Sequence, residues 1–335
     1  MKQPPVKSTG YDSLVASIGV LLEDGRKQAV TTVNSILVRT YWEIGKIIIE
    51  YEQNGKERAE YSSQLLKRLS IDLTKRFNKG FSVDNLERMR RLYLIFKNSA
   101  TLSRKLSWSC YCLLLRLDNH SAMRFYAIES ERNDWSVREL DRQINSMLFE
   151  RLALSKDKKG VLELSKKGQV TKDASDLIKD PYVLEFLDLE GSSKYSESEL
   201  EQKLIDHLQK FLLELGRGFM FVGRQQRMTL DSEHFFVDLV FYNRILRCFV
   251  LIDLKVGKLT HKDLGQMQMY VNYYDRELRS KEENPSVGIL LCADKKESVV
   301  RYTLPEHNKQ IFASKYRLYL PDKDELRRSL NRLLE

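Results

Sequence analysis

The sequence has few cysteines and no long apolar run, and each shortage excludes a class of protein. Four cysteines among 335 residues make no disulfide framework, and the single Cys-x-Cys pair at Cys110 and Cys112 has no second pair to complete a zinc site. No apolar stretch approaches the roughly 20 residues that a membrane-spanning helix needs. The N-terminal segment lacks the apolar core of a secretory signal. We therefore expect a reduced, cytoplasmic protein that does not bind a membrane.

Positive charge is concentrated in the first half of the chain. The sequence carries 56 Lys and Arg against 47 Asp and Glu, a formal charge of +9. Residues 1–155 hold 25 basic and 18 acidic side chains, an excess of +7, whereas residues 156–335 hold 31 and 29, an excess of +2. A basic first half favours a polyanion as the partner.

Two domains are expected from the length of the chain and from a change in its pattern. Helical periodicity dominates before residue 155, and strand-like runs concentrate after residue 216. Polar stretches at 156–173 and 191–194 are candidate linkers. We therefore predict a helical domain over residues 1–155 and an α/β domain over residues 175–335.

A helix-turn-helix pattern occurs within the first domain. Apolar residues at helical spacing predict helices over 28–53, 60–77, 83–97 and 135–154. A glycine-containing turn over 78–82 ends in Ser82, a candidate N-cap of the third helix. Arg88 and Arg91 lie away from the apolar stripe of that helix and would face solvent. DNA-reading units share this layout with ordinary helical hairpins that have a solvated charged face.

The second domain is predicted to start with a helix and to continue into a three-stranded meander. Ser196 and Glu199 match the Ser-x-x-Glu spacing of a capping box, and the helix is predicted to end at Gly216. Predicted strands follow over 219–228, 235–242 and 245–255, then a helix over 261–278 and a strand over 287–292. This order of elements predicts an α/β fold with a mixed sheet.

Two carboxylates interrupt the apolar strands of this meander. Asp238 lies in mid-strand, where an ionised carboxylate is costly unless it is paired, hydrogen-bonded or metal-bound. Asp253 ends the next strand, and strand alternation puts Lys255 on the same face. Two carboxylates and an ammonium group are what metal-dependent phosphodiester hydrolysis needs. A structural Asp253–Lys255 ion pair beside a hydrogen-bonded Asp238 would give the same pattern.

Two helices could add polar side chains to this set. Gln266 and Tyr270 lie one turn apart on one helix face, where they either reach the site or are an exposed amide and a half-buried aromatic. Glu201 lies at the flank of the apolar stripe of its helix, so it either leans over the sheet or faces solvent. The spacing alone leaves both alternatives open.

The acids, the lysine and the Gln-x-x-x-Tyr pattern together resemble the PD-(D/E)xK nuclease superfamily. Longer strings resemble the YhcG-like nucleases over nearly the whole chain: Trp42–Gly45, Gly80–Ser82, Trp135–Leu140, Phe211–Gln225 and Val237–Tyr242. The resemblance implies an all-α N-terminal domain, winged-helix or helix-turn-helix-like, followed by an α/β restriction-endonuclease-like core with a mixed sheet. This chain departs from the superfamily pattern in having Val237 rather than Pro before Asp238, and Asp253 rather than the more usual Glu.

The resemblance further implies a Mg²⁺-dependent endonuclease that hydrolyses DNA, with Mn²⁺ able to substitute. It assigns the metal ligands Asp238, Asp253 and Glu201, the catalytic lysine Lys255, and the orienting pair Gln266 and Tyr270. Glu197 and Glu199 are close rivals of Glu201 as the helix acid. Arg88 and Arg91 are the candidate DNA contacts.

A non-enzymatic module is the competing hypothesis. Such a protein would use a nuclease-like fold to bind DNA or to join a larger defence or repair complex, and its acids would be structural. The intact set of acids, lysine, glutamine and tyrosine favours the enzyme. RNA is a more distant third candidate, since 16 Tyr and 14 Phe offer stacking surfaces without an RNA-binding signature. Because cutting both strands with one site per chain generally requires two chains, a homodimer is expected.

Overall fold

The structure is a computed structural model that divides into two compact units. It describes residues 11–54, 59–154, 158–189 and 195–322, together with Asp324, Leu326 and Arg328. The units divide between Leu140 and Asp141, before the predicted domain boundary near residue 155. The predicted linker at 191–194 lies outside the described residues, as do residues 156 and 157 of the linker predicted at 156–173.

The first unit is built from helices, as predicted. Its helices are α1 (Tyr11–Asn54), α2 (Ala59–Phe77), α3 (Val83–Ile95), α4 (Trp108–Leu114) and α5 (His120–Arg132), and α6 (Val137–Asn145) extends past the division. Ser82 caps α3, because its side chain accepts a hydrogen bond from the backbone N–H of Asn85 at 3.3 Å. Among the described residues no strand precedes Tyr182, so this part of the chain lacks the β-wing of a winged helix.

The Trp42–Gly45 string of the sequence joins α1 to α3. A Cβ atom at Gly45 would overlap the backbone of Met89, so the two helices approach closely only because this residue is glycine. Three residues earlier, the indole Nε1 of Trp42 donates a hydrogen bond to the carbonyl oxygen of Phe96 at 2.6 Å. This string therefore fixes the helix that follows the predicted turn.

The second unit contains shorter helices than the periodicity predicts. They are α7 (Leu148–Ala153), α8 (Lys158–Lys167), α9 (Glu197–Asp206), α10 (Leu208–Leu215), α11 (His261–Tyr273) and α12 (Glu297–Thr303). α8 occupies part of the predicted 156–173 linker. Among the described residues, no helix is both long and apolar enough to cross a membrane.

Two predicted helices are each broken in two. Met147, at a left-handed φ of 55°, separates α6 from α7, and the buried side chain of Arg151 donates to the backbone oxygen of Ser146 at 2.9 Å beside this break. His207 separates α9 from α10. The predicted capping box at Ser196 and Glu199 is formed.

A mixed sheet forms the centre of the second unit, as predicted, and it has six strands where the sequence predicted four. Its strands are β1 (Tyr182–Val183), β2 (Phe219–Leu230), β3 (Glu233–Asn243), β4 (Cys248–Lys258), β5 (Val287–Asp294) and β6 (Ile311–Arg317). The order is β1-β6-β5-β4-β3-β2, with β2, β3 and β4 antiparallel and the remaining neighbours parallel. The sequence prediction lacked β1, which has only two residues, and β6.

Helices cover both faces of this sheet. The apolar side chains of α9 and α10 pack with Leu239, Phe241 and Ile252 on one face, while those of α11 pack with Val240 and Leu251 on the other. Alternate residues of β3 and β4 therefore enter two separate cores. The strands that carry Asp238 and Asp253 therefore lie between α9, which carries Glu201, and α11, which carries Gln266 and Tyr270.

A buried ion cluster lies between α10 and the segment that starts the second unit. Glu214 and Arg151 have fully buried side chains and meet at 2.7 Å, and Arg142 lies 3.4 Å from the same carboxylate. The ammonium group of Lys179 donates to the backbone oxygen of Glu214. Burial opposes ionisation, but these cations, Arg151 foremost, lower the pKa of Glu214 to about 2. Through Arg142 and Arg151, this cluster links residues 141–154 to α10 of the second unit.

Candidate active site

The antiparallel pairing of β3 with β4 ends beside two acidic residues. Leu239 and Ile252 form the last aligned pair, and the next residues outward are Asp238 and Asp253. Beyond this point β4 continues beside β5 only, and the backbone N–H of Leu254 donates to Asp238 Oδ2 at 2.8 Å. The divergence of the two strands therefore creates a fork that carries both predicted carboxylates.

Asp253 is the most buried acid of this fork, with an exposed fraction of 3%. Its Oδ2 lies 2.9 Å from Lys255 Nζ and forms an ion pair with it. Burial and the nearby carboxyl of Asp238 raise the pKa of Asp253 to about 7. A buried carboxylate beside a second carboxylate is suited to bind a cation.

Lys255 lies among acidic groups. Glu197 Oε2 is 3.4 Å from Nζ, in addition to the Asp253 contact. Burial opposes the charge of the ammonium group, but the two carboxylates outweigh it and raise the pKa of Lys255. Lys255 is therefore held as a cation, which can stabilise negative charge on a phosphate and cannot act as a base in this state.

Glu201 reaches the fork through a glutamine that the sequence interpretation missed. Gln225 Nε2 donates to Glu201 Oε2 at 2.5 Å and to Asp238 Oδ1 at 3.0 Å. Glu201 is 7% exposed, and burial, followed by the charge of Asp238, raises its pKa although Gln225 opposes the shift. Gln225 ends the Phe211–Gln225 string that resembles the YhcG-like nucleases, but its amide carries no acidic or metal-ligand signal that would mark it as a site residue.

The rival glutamates of α9 have other contacts. Glu199 accepts a hydrogen bond from the backbone N–H of Ser196 at 2.7 Å, which completes the capping box. Glu197 accepts from the backbone N–H of Val256 at 3.3 Å and approaches Lys255. Of the three, Glu201 is thus the one that shares a hydrogen-bond partner with Asp238.

Gln266 and Tyr270 support the fork from the opposite face of the sheet. Gln266 Nε2 lies 2.5 Å from the Tyr270 hydroxyl, which donates to the backbone oxygen of Phe236 at 2.8 Å. Burial and the charge of Asp253 raise the pKa of Tyr270 to about 12, so its hydroxyl remains a donor. The pair fixes β3 two residues before Asp238.

Arg88 and Arg91 are partly exposed, and a neighbouring side chain engages each of them. Arg88 Nη1 donates to Asn85 Oδ1 at 3.0 Å, and Arg91 Nη2 donates to Asp118 Oδ1 at 3.2 Å. A prediction from one helix could not include Asp118, which lies in the turn between α4 and α5.

The carboxylates of the fork provide some of the oxygen ligands that an ion such as Mg²⁺ requires. Asp238 and Asp253 offer hard carboxylate oxygens. Mg²⁺ commonly takes one or two protein carboxylates and keeps several waters. Within the described ranges, no three His, Cys, Asp or Glu side chains already form a metal-binding group. The amide of Gln225 lies between Glu201 and Asp238 and donates to both carboxylates.

Comparison with known proteins identifies two matching family models. Residues 17–151 match the DUF1016 N-terminal domain, and residues 175–331 match the YhcG PDDEXK nuclease domain. The chain is 41% identical over 351 residues to the protein named “Putative nuclease YhcG” of Escherichia coli (strain K12), covering 95% of this chain and 93% of that one.

Two solved structures show weaker similarity. A repair endonuclease from Pyrococcus abyssi is 20% identical with a TM-score of 0.26, covering 39% of this chain and 50% of that chain. EndoMS in its apo form is 17% identical with a TM-score of 0.26, covering 39% and 49%. The similarity spans about half of each of those chains, and at these scores it adds nothing to the description of this fold.

Proposed function

The chain belongs to the YhcG family of PDDEXK nucleases, and we propose that it is a metal-dependent endonuclease that hydrolyses phosphodiester bonds of DNA. The observation that carries this proposal is the fork, where Asp238, Asp253 and Lys255 come together at the end of the β3–β4 ladder. A structural ion pair would not need the second carboxylate. Burial and that carboxylate together raise the pKa of Asp253 although Lys255 opposes the shift, so a further cation would stabilise the ionised cluster.

In this proposal Asp238 and Asp253 hold Mg²⁺ or Mn²⁺, and Glu201 adds a third carboxylate. When bound, the metal supplies Lewis-acid chemistry at the scissile phosphate. Lys255, kept cationic by its acidic neighbours, stabilises the negative charge that develops on that phosphate. Tyr270 holds the backbone of β3 so that Asp238 keeps its direction.

Residues 175–335 are the nuclease domain in this proposal, and residues 1–155 are a helix-turn-helix-like domain that holds the DNA in the cytoplasm. The charge excess of +7 in residues 1–155 supports phosphate binding there. A homodimer would bring one fork to each strand of a duplex.

The test is a panel of labelled DNAs, linear, single-stranded and branched, incubated with Mg²⁺, Mn²⁺ or EDTA. We expect cleavage of at least one DNA with either metal and none with EDTA. Metal-independent binding to every DNA without cleavage would contradict the proposal and favour the non-enzymatic module.

DNA affinity should fall steeply with salt, and Arg88 and Arg91 should contribute to that dependence. The double variant Arg88→Ala/Arg91→Ala should lower the slope of log K against log [salt] by about 1 to 2, one for each lost phosphate contact. Fluorescence anisotropy with a labelled duplex in EDTA measures the slope. The matched control replaces the exposed pair Arg276 and Arg301 of the second unit. If the Arg88/Arg91 variant and the wild type had the same slope, these two residues would not contact the DNA phosphates.

Metal affinity should weaken as the pH falls from 8 to 6. Because the pKa of Asp253 is raised to about 7, a proton competes with the metal for this carboxylate below that pH. We expect the apparent affinity for Mn²⁺ to fall by up to about tenfold per pH unit below 7, measured by calorimetry without DNA. An affinity that stays constant between pH 6 and 8 would show that Asp253 is not a ligand.

A further inference from the structure

Gln225 has a backbone conformation that is rare for its residue type. It lies in the middle of β2 with a φ of 45°, in the left-handed region that side chains with a Cβ atom disfavour. Its strand neighbours pair regularly with β3, Arg224 with Leu239 and Gln226 with Val237, and Gln225 lies opposite Asp238 between them. Non-glycine residues held in such conformations are concentrated at functional sites.

This conformation directs the side chain of Gln225 between two carboxylates. The two N–H groups on one amide nitrogen can serve both acceptors at once, Glu201 Oε2 and Asp238 Oδ1. The other oxygen of Asp238 accepts from the backbone N–H of Leu254. Each oxygen of Asp238 therefore has one donor, and the direction of the carboxylate is fixed.

Gln225 also distinguishes Glu201 from the other glutamates of α9. Glu199 is engaged in the capping box, and Glu197 contacts Lys255. Glu201 carries the same charge as Asp238, so the two repel each other unless a donor or a cation lies between them. The shared amide is that donor when no metal is bound.

We propose that Gln225 is a positioning residue of the nuclease site, which joins Glu201 to Asp238 and thereby makes Glu201 the helix acid. This inference rests on the proposed function. Gln225 acts through the carboxylates that it orients, as outer hydrogen-bond partners of metal ligands do. Its loss leaves the acids in place but without a fixed mutual geometry.

A double-mutant cycle of Gln225→Ala and Glu201→Ala tests this coupling. We expect each single variant to lose about 10- to 100-fold in Mn²⁺ affinity and in the rate of DNA cleavage. Because Gln225 acts partly through Glu201 and partly through Asp238, the double variant should lose more than Glu201→Ala alone but clearly less than the product of the two single losses. Independent losses that multiply in the double variant would overturn the proposal.

Gln225→Gly separates the positioning role from a role in folding. Glycine adopts a φ of 45° without strain, so this variant should keep or raise the melting temperature while losing metal affinity as Gln225→Ala does. The neighbouring Gln226→Ala is the matched control, because the Gln226 amide bonds only to the backbone oxygen of Arg224 among the contacts described. A loss of metal affinity matched by Gln226→Ala, or one that only follows a lower melting temperature, would overturn the proposal.

Metal affinity is measured without DNA, so the two proposals fail separately. A wild-type protein that binds Mn²⁺ but cleaves no DNA would contradict the proposed function, and the cycle in metal affinity would still decide the role of Gln225. Cleavage by the wild type together with unchanged metal affinity and rate in Gln225→Ala would overturn only this inference. A wild-type protein that binds no metal would overturn both.

Discussion

Replacing Asp253 with asparagine should lower metal-dependent DNA cleavage by roughly 10³-fold or more, because it removes a charged carboxylate that we propose as a metal ligand of the fork. The fold should persist. The asparagine side chain has nearly the same size, it removes a charge whose burial is costly, and Lys255 keeps its contact with Glu197. Single-turnover cleavage with saturating enzyme measures the rate, and thermal unfolding checks the fold.

The chain contains a matched control for this variant. Asp294 and Lys296 repeat the Asp-x-Lys spacing at the end of β5, the strand beside β4. There the carboxylate forms an exposed ion pair with Lys315 at 2.9 Å. Asp294→Asn should cleave DNA at the wild-type rate. If Asp253→Asn kept more than about a tenth of the wild-type rate, Asp253 could not be an essential metal ligand.

Replacing Glu214 with alanine should lower the free energy of unfolding by about 3 to 5 kcal/mol. The variant would leave the fully buried guanidinium of Arg151 without its carboxylate partner. It would also remove the acceptor of the backbone N–H of Val183, which Glu214 Oε1 binds at 3.0 Å. Urea denaturation followed by circular dichroism measures the change.

The pH dependence of the free energy of unfolding is an independent test of the contribution of Glu214 to stability. Its folded pKa is lowered to about 2, so its contribution is complete above its unfolded value near 4.3 and is lost as the pH falls towards 2. Glu163→Ala is the control, since Glu163 forms an exposed pair with Lys167 and should change stability by less than about 0.5 kcal/mol. If Glu214→Ala and Glu163→Ala lost the same free energy of unfolding, the buried cluster would contribute no more to stability than an exposed ion pair.

Much of the fold follows from local patterns. Apolar spacing predicts the helical first unit, and alternation predicts the meander that becomes β2, β3 and β4. The same alternation predicts that Asp253 and Lys255 share a face, and they meet at 2.9 Å. These predictions succeed because a strand directs alternate side chains to opposite faces whatever its tertiary partners are.

Other features depend on contacts that a single segment does not contain. The break at Met147 lies beside a guanidinium that pairs with Glu214 far along the chain. β1 pairs with β6, which lies more than a hundred residues later in the chain. Because β1 has only two residues, it is too short to show the alternation that predicts a strand. Gln225 becomes part of the site only because β2 takes a left-handed φ opposite Asp238.

The choice among the three acids of α9 illustrates the same limit. Their spacing left Glu197, Glu199 and Glu201 as rivals, because they lie within little more than one helical turn. The choice depends on a contact between α9 and β2, because Gln225 of β2 donates to Glu201. Whether Glu201 binds the metal stays a prediction.

The most direct test of the central claim is the anomalous scattering of Mn²⁺ in crystals of the wild-type protein. The account predicts a peak at the fork, within coordination distance of the carboxylate oxygens of both Asp238 and Asp253, that disappears in Asp253→Asn. A peak at another place, or no peak at the fork under conditions in which the protein cleaves DNA with Mn²⁺, would contradict it.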